Sequence, residues 1–220
     1  MRLFRDRAEA GRLLAERLEP CFGGSNTVVL ALPTGGLPVG LGVARRLRAP
    51  LDVLVARKLS VPGWPDKTFG AVASGGALWL DRAIIGDLGL ANEDVAGLVA
   101  REERELSIRE SRYLPGANFS TVAGGTVVLV DDGLATGSTM KAAVQCVRAL
   151  APVFVVVAVP VGPAEALVGL QAHADEVICL SSPVDFRTIR ASYQDFSHVT
   201  EAEVLRLLHE PIHGTAALSL

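Results

Sequence analysis

Five short apolar runs constrain this chain more than anything else in it. They are Thr27–Leu32 (TVVLAL), Leu51–Ala56 (LDVLVA), Thr126–Val130 (TVVLV), Val153–Val159 (VFVVVAV) and Glu176–Leu180 (EVICL). Valine and leucine dominate, without the polar alternation of a half-exposed strand. Strands buried on both faces read this way, in parallel sheets covered by helices. Helical patterns lie between and around them. Arg5–Glu19 carries Ala10, Leu13, Leu14 and Leu18 on one stripe, with Asp6 as its cap and Pro20 as its expected stop. Further helices are predicted from Gly36 to about Leu47, over Asn92–Arg112, Ser138–Leu150 and Pro163–Ala172, and from a Thr200/Glu203 capping box to about Glu210. This alternation predicts an α/β fold: a doubly wound, mainly parallel sheet flanked by helices.

The 220 residues suit one domain over 1–220, with a core at about 27–180, a small hood from 1–20 and 181–210, and a loose tail over 211–220. A net charge of −3 leaves no global basic field for nucleic acid or an anionic membrane, so an anionic ligand needs local cations. The longest apolar run, broken by Pro160, is far below the roughly 18 residues that span a bilayer. Cys21, Cys146 and Cys179 are widely spaced, with no metal-binding pattern, and read as buried free thiols. With an N-terminus too charged for a secretory signal, the expected location is the cytoplasm.

Ligands of doubly wound sheets sit outside the C-terminal strand ends, at a topological switch point. Three polar stretches fall there. Pro33-Thr34-Gly35-Gly36 follows the first strand, and its glycines let backbone approach something closely. Arg57-Lys58 ends the second. Asp131-Asp132-Gly133-Leu134-Ala135-Thr136-Gly137-Ser138-Thr139 follows Thr126–Val130 and runs into a helix. Small residues and hydroxyls at a helix N-terminus hold a phosphate, and adjacent acids accept from a diol or hold a cation. Leu59–Thr68, with two prolines, a glycine and Trp64, reads as a long loop or lid, and Phe69–Ala73 with Ala77–Leu80 as a hairpin. No GxxxxGK[ST], GxGxxG or GxSxG pattern occurs.

VVLVDDGLATGST closely resembles the PRPP-binding motif of class I phosphoribosyltransferases. LPTGG is similar to that family's pyrophosphate-facing loop, Ala56-Arg57-Lys58 to the cationic end of its second strand, and Leu59–Thr68 to its flexible catalytic loop. The resemblance covers about Val28–Leu180 and implies the class I phosphoribosyltransferase fold. It implies that Asp131 and Asp132 bind the ribose hydroxyls and shape a Mg²⁺ environment, with the metal held mainly by PRPP. By the same resemblance, Ala135, Thr136, Gly137, Ser138 and Thr139 hold the 5-phosphate. Thr34, Gly35 and Gly36 face the pyrophosphate, and Arg57, Lys58 and Lys67 neutralise it. A small-molecule acceptor and a homodimer are family-level expectations. Ala135 stands where 6-oxopurine enzymes often carry an acid, and Thr34 where close relatives often carry arginine.

The activity so implied is Mg²⁺-dependent transfer of 5-phosphoribosyl from PRPP to a nitrogen nucleophile, with release of pyrophosphate. The alternative is a non-catalytic PRPP or nucleotide sensor on the same fold. Outside the motif, Phe186, Tyr193 and Phe196 read as packing of a C-terminal cap or as a hood over a base. Trp64 reads equally as a lid anchor or a surface aromatic. The four histidines lack metal-ligand spacing. REERELSIRESR reads as a solvated helix face with Arg101–Glu105 and Glu105–Arg109 pairs.

Overall fold

The computed structural model describes residues 3–23, 26–113 and 122–212, and the backbone alone at 65, 66, 112 and 113. The apolar runs form β1 (Thr27–Ala31), β2 (Leu51–Val53), β6 (Thr126–Val130), β7 (Phe154–Val161) and β8 (Glu176–Ser181). They build one parallel sheet in the order β2-β1-β6-β7-β8. Side chains alternate across it, as a pleated strand requires. Val28, Leu30, Val127, Leu129, Val155 and Val157 face Met140, Val144 and Val147 of α5 (Ser138–Ala149) and Leu170 of α6 (Ala164–Gln171). Val29, Val128, Val130 and Val156 face Leu14 and Leu18 of α1 (Arg7–Phe22) and Val39 and Val43 of α2 (Gly36–Leu47). Leaving β1 the chain crosses one face, and leaving β6 it crosses the other. The switch point therefore lies between β1 and β6.

The expected loop at Leu59–Thr68 is instead a hairpin. β3 (Ala56–Val61) and β4 (Trp64–Ala73) pair antiparallel, and β5 (Ala77–Leu80) completes a second sheet ordered β3-β4-β5. The prolines that suggested a loop are accommodated outside the ladder. Pro62-Gly63 is the turn, with Gly63 at φ 82°. Val61 pairs with Trp64 but Ser60 pairs with Thr68, so residues 65–67 bulge out where a proline needs no partner. The second strand is correspondingly shorter than expected, ending at Val53. This small sheet packs on α5 through Ala71, Ala73 and Ala77. Leu59 and Val72 pack toward α4 (Asn92–Tyr113) and α7 (Glu201–Leu208), meeting Val95, Leu106 and Val204. A short α3 (Arg82–Asp87), capped by Asp81, links the small sheet to α4.

Other expectations shift in detail. Pro20 lies inside the last turn of α1, and Gly23 N–H closes that turn onto the Glu19 carbonyl at 3.1 Å. Proline has no N–H to donate, and so near the helix end its ring interrupts only the closing turn. Among the described residues the Arg101–Glu105 and Glu105–Arg109 pairs are not formed; Glu102 instead pairs with Arg57. All three cysteines are free, but Cys21 is exposed rather than buried. Thr200 caps α7, accepting from Glu203 N–H at 3.2 Å. Most of the expected loose tail, residues 213–220, lies outside the described residues, whereas Ile212 packs against the core. Among the described residues no helix is long and apolar enough to cross a membrane.

Candidate functional site

The loops after β1 and β6 meet at the switch point, and glycine makes the meeting possible. A Cβ on Gly36 would lie 2.8 Å from the Val130 carbonyl oxygen and 3.0 Å from Asp131 Cα. A Cβ on Gly35 would lie 2.1 Å from Asp132 Oδ2. The Gly-Gly pair therefore admits the acids of the neighbouring loop, whatever else it faces. Leu32 N–H donates to the Val130 carbonyl at 2.9 Å, continuing the β1–β6 ladder to the loop mouth. The Pro33–Thr34 peptide between them is cis.

The β6 loop forms a cradle. Leu134 is buried, its N–H donating to the Val161 carbonyl at 2.8 Å, which anchors the loop to β7. Gly137, at φ 73°, turns the chain into α5. Asp131, Gly133, Leu134, Ala135, Thr136, Gly137, Ser138 and Thr139 line a cavity of about 160 Å³, closed on one side by Ile189. Thr136 Oγ1 and Ser138 Oγ lie 2.9 Å apart, and Lys58 Nζ donates to Ser138 Oγ at 3.1 Å. Two hydroxyls and an ammonium that hydrogen-bond each other at a helix N-terminus are arranged to turn onto an anion. A larger groove, about 870 Å³, lies between α1, α2 and α7. Its arginines are already matched with carboxylates, as in Arg12–Glu16 and Arg45–Glu210, and no strand end opens into it.

The adjacent acids have different surroundings. Asp131 is half-buried, lines the cradle and accepts from Asp132 N–H at 2.8 Å. Burial, and then the neighbouring Asp132 charge, hold its carboxyl well above the usual carboxylate range. Asp132 is buried, and burial raises it too, but Arg7 opposes the rise. Arg7 Nε donates to Asp132 Oδ2 at 2.8 Å, with both side chains 11% exposed. Tyr193 O–H donates to the Asp132 backbone carbonyl at 2.6 Å, and burial raises its phenol. Tyr193 packs between Phe4 and Phe196, with ring centroids at 5.5 and 5.2 Å. Residues 4–7 and 192–197 thus close together over Asp132. Phe4 and Asp195 N–H join the two segments, donating to the carbonyls of Ser192 and Arg5.

The structure separates other residues grouped by sequence. Arg57 and Lys58 are neighbours on β3 and face opposite sides. Lys58 reaches the cradle, whereas Arg57 binds Glu102 of α4 through Nε at 2.7 Å. Lys67 lies in the hairpin bulge, its Nζ 4.7 Å from the Trp64 ring centroid, with Trp64 61% exposed. Thr34 lies in the β1 loop beside Gly35. Tyr193 and Phe196 pack as a cap, the first of the two readings. Among the described residues no three His, Cys, Asp or Glu side chains cluster as metal ligands. Arg7 was not anticipated. Its one local signal is weak: a cation in the first turn of α1, where the helix dipole disfavours it. Ile189 carries no signal at all.

Comparison with known proteins agrees with this fold. A family model described as a phosphoribosyl transferase domain matches residues 5–195. A Mycobacterium tuberculosis protein, provisionally named a phosphoribosyl transferase, is 42% identical over 211 residues in strain H37Rv and equally in strain CDC 1551. The match covers 94% of this chain and 47% of the relative, so the chain spans about half the length of these curated relatives. Among solved structures, TT1426 from Thermus thermophilus is 44% identical with a TM-score of 0.83, over 94% of this chain and 98% of that one. A Neisseria gonorrhoeae protein solved with bound ppGpp is 13% identical with a TM-score of 0.52, over 94% of this chain and 96% of that one, and shares the fold alone.

Proposed function

This chain belongs to the phosphoribosyl transferase domain family, and on that basis we propose that it binds PRPP with Mg²⁺ and transfers the 5-phosphoribosyl group to a nitrogen nucleophile, releasing pyrophosphate. The observation that carries the proposal is the convergence of Lys58, Thr136, Ser138 and Asp131 on one cavity at the switch point. The 5-phosphate takes the place of the hydroxyl–ammonium contacts, bound by Thr136, Ser138 and Thr139 and by backbone N–H groups over Ala135–Gly137. Asp131 accepts from the ribose diol, with Asp132 beside it. Thr34, Gly35 and Gly36 face the pyrophosphate.

The residues fit Mg²⁺ in a limited way. Asp131 is a half-buried acid at the cavity whose charge lacks a cation of its own, and there is no cage of three protein ligands among the described residues. A metal held mainly by the ligand's own oxygens, with Asp131 close by, suits that donor set. When bound, Mg²⁺ supplies charge neutralisation worth several kcal/mol on the departing pyrophosphate, against about 0.3–2 kcal/mol from the helix terminus. The chain's own residues orient the sugar and exclude water. The C1–O bond breaks with its electron pair leaving on pyrophosphate. The acceptor nitrogen supplies the pair for the new C1–N bond, and its proton goes to solvent or to the released pyrophosphate. Ala135 has no acid to take it, which favours acceptors that need no proton relay from this loop.

A sensor that binds PRPP or a nucleotide without turnover is the second reading. One observation favours it: of Arg57, Lys58 and Lys67, Lys58 alone hydrogen-bonds to the cradle, while Arg57 is held by Glu102 and Lys67 lies over Trp64. A pyrophosphate-release assay with PRPP and Mg²⁺ over a panel of nitrogenous bases and amines separates the two. Release with any acceptor supports transfer. Saturable PRPP binding with no release across the panel supports the sensor.

A further inference from the structure

We propose that Arg7 is a positioning residue of the crevice, setting the Asp132 carboxylate beside Asp131 and making binding of the ribose diol depend on the docking of residues 4–7 against residues 192–197. The inference rests on the donor-binding reading above and deepens it. Arg7 is fixed from three directions. Nε donates to Asp132 Oδ2 at 2.8 Å, Nη1 donates to the Ser197 carbonyl at 2.8 Å, and the guanidinium carbon lies 3.8 Å from the Phe196 ring centroid. Such a guanidinium cannot pivot, so it transmits its position to the carboxylate. Tyr193 fixes the same aspartate through its backbone, and Gly35 leaves the space that the carboxylate fills. Asp132 is thus held by α1, by the segment around residues 193–197 and by the β1 loop together.

Stability alone does not account for this arrangement. A cation in the first turn of a helix opposes the dipole, and a buried ion pair is often no better than apolar residues of similar volume. The pair sits where the β1 and β6 loops meet. Among the described residues, the cradle over residues 133–139 has no hydrogen bond to Arg7, whose contacts go to Asp132, Ser197 and Phe196. Loss of Arg7 therefore disturbs the acids and leaves the phosphate contacts in place.

The test is calorimetric titration of the wild type, Arg7→Met, Arg7→Lys and Tyr193→Phe with PRPP, ribose 5-phosphate and inorganic phosphate, with folding checked by circular dichroism. Arg7→Met is expected to weaken PRPP and ribose 5-phosphate by about tenfold or more and inorganic phosphate by less than about twofold. Arg7→Lys keeps the charge without the fork and recovers part of the loss. Should Arg7→Met not fold, Arg7→Lys and Tyr193→Phe carry the same split between sugar and phosphate. A variant combining Arg7→Met with Asp132→Asn binds no worse than the weaker single variant, because Arg7 acts through Asp132. Unchanged ribose 5-phosphate binding in a folded Arg7→Met overturns the inference, as does equal loss of sugar and inorganic phosphate. A wild type that does not bind PRPP overturns the donor-binding reading and this inference with it. A wild type that binds PRPP, with Arg7 variants unaltered, overturns this inference alone.

Discussion

The crevice is made of two regions assembled by different means. Its floor, the loops after β1 and β6, is set by backbone packing: ladder hydrogen bonds run into it, and Gly35 and Gly36 let the loops touch. Its walls are side chains that arrive from elsewhere: Lys58 from the hairpin, Arg7 from the first turn of α1, Tyr193 and Ile189 from the segment after β8. The floor is rigid because a packed backbone has no alternative arrangement at low cost. The walls hold by side-chain contacts, each of which can be removed with the floor left standing. Changes to the backbone packing of the floor should therefore appear in stability, and changes to side chains that face the crevice mainly in binding.

Gly36→Ala has the largest expected effect. Its Cβ meets backbone at 2.8 Å, which cannot swing away as a side chain can, so unfolding free energy should fall by about 3 kcal/mol in urea titrations. A loss below about 0.5 kcal/mol, the range of an ordinary surface change, would mean that the two loops do not touch as described. Lys58→Met comes next. It should lower phosphate affinity about tenfold while leaving stability within about 0.5 kcal/mol. Its neighbour provides the contrast: Arg57→Met should leave phosphate binding unaltered and lower stability by about 1 kcal/mol through the loss of Glu102. If the two variants behave alike, the separation of β3 into a site face and a structural face is wrong.

Asp131→Asn has a small expected effect on stability and the most informative sign. Asp131 ionises at higher pH in the folded chain than in the unfolded one, so the folded state retains a proton that the unfolded state has released. Stability conferred at low pH is lost as pH rises from the usual carboxylate range through the raised folded value, and it stays lost above that. The amide removes this penalty. Asp131→Asn should gain about 1 kcal/mol at neutral pH, the usual scale for relieving a functional site, and the fall in stability as pH rises above the usual carboxylate range should flatten. A loss of stability at neutral pH would place Asp131 with Asp132 as a paired structural acid.

The same division decides what was legible in the sequence. The floor is local. Val127–Val130, the acid pair and the hydroxyl turn are contiguous, so residue types and order suffice to place strand, cradle and helix. The walls are not. Arg7 and Asp132 lie 125 positions apart, and nothing near either points to the other. The hairpin was obscured for a different reason: Pro62, Gly63 and Pro65 read as loop composition, whereas Pro62-Gly63 is a turn and residues 65–67 a bulge. Once β3 is known as a strand, strand alternation puts Arg57 and Lys58 on opposite faces, so their separation was within reach of the sequence. No comparable local motif marks Ile189 or the cap aromatics, because they come from an irregular segment.

The central claim is that this crevice holds the phosphoribosyl donor through Asp131. It is tested most directly by calorimetric titration of PRPP into the wild type and Asp131→Asn, each with and without Mg²⁺. The account predicts saturable binding to the wild type that tightens with Mg²⁺, and loss of both the binding and the Mg²⁺ dependence in the variant. No binding to the wild type at millimolar PRPP, or equal affinity in the two proteins, would contradict it.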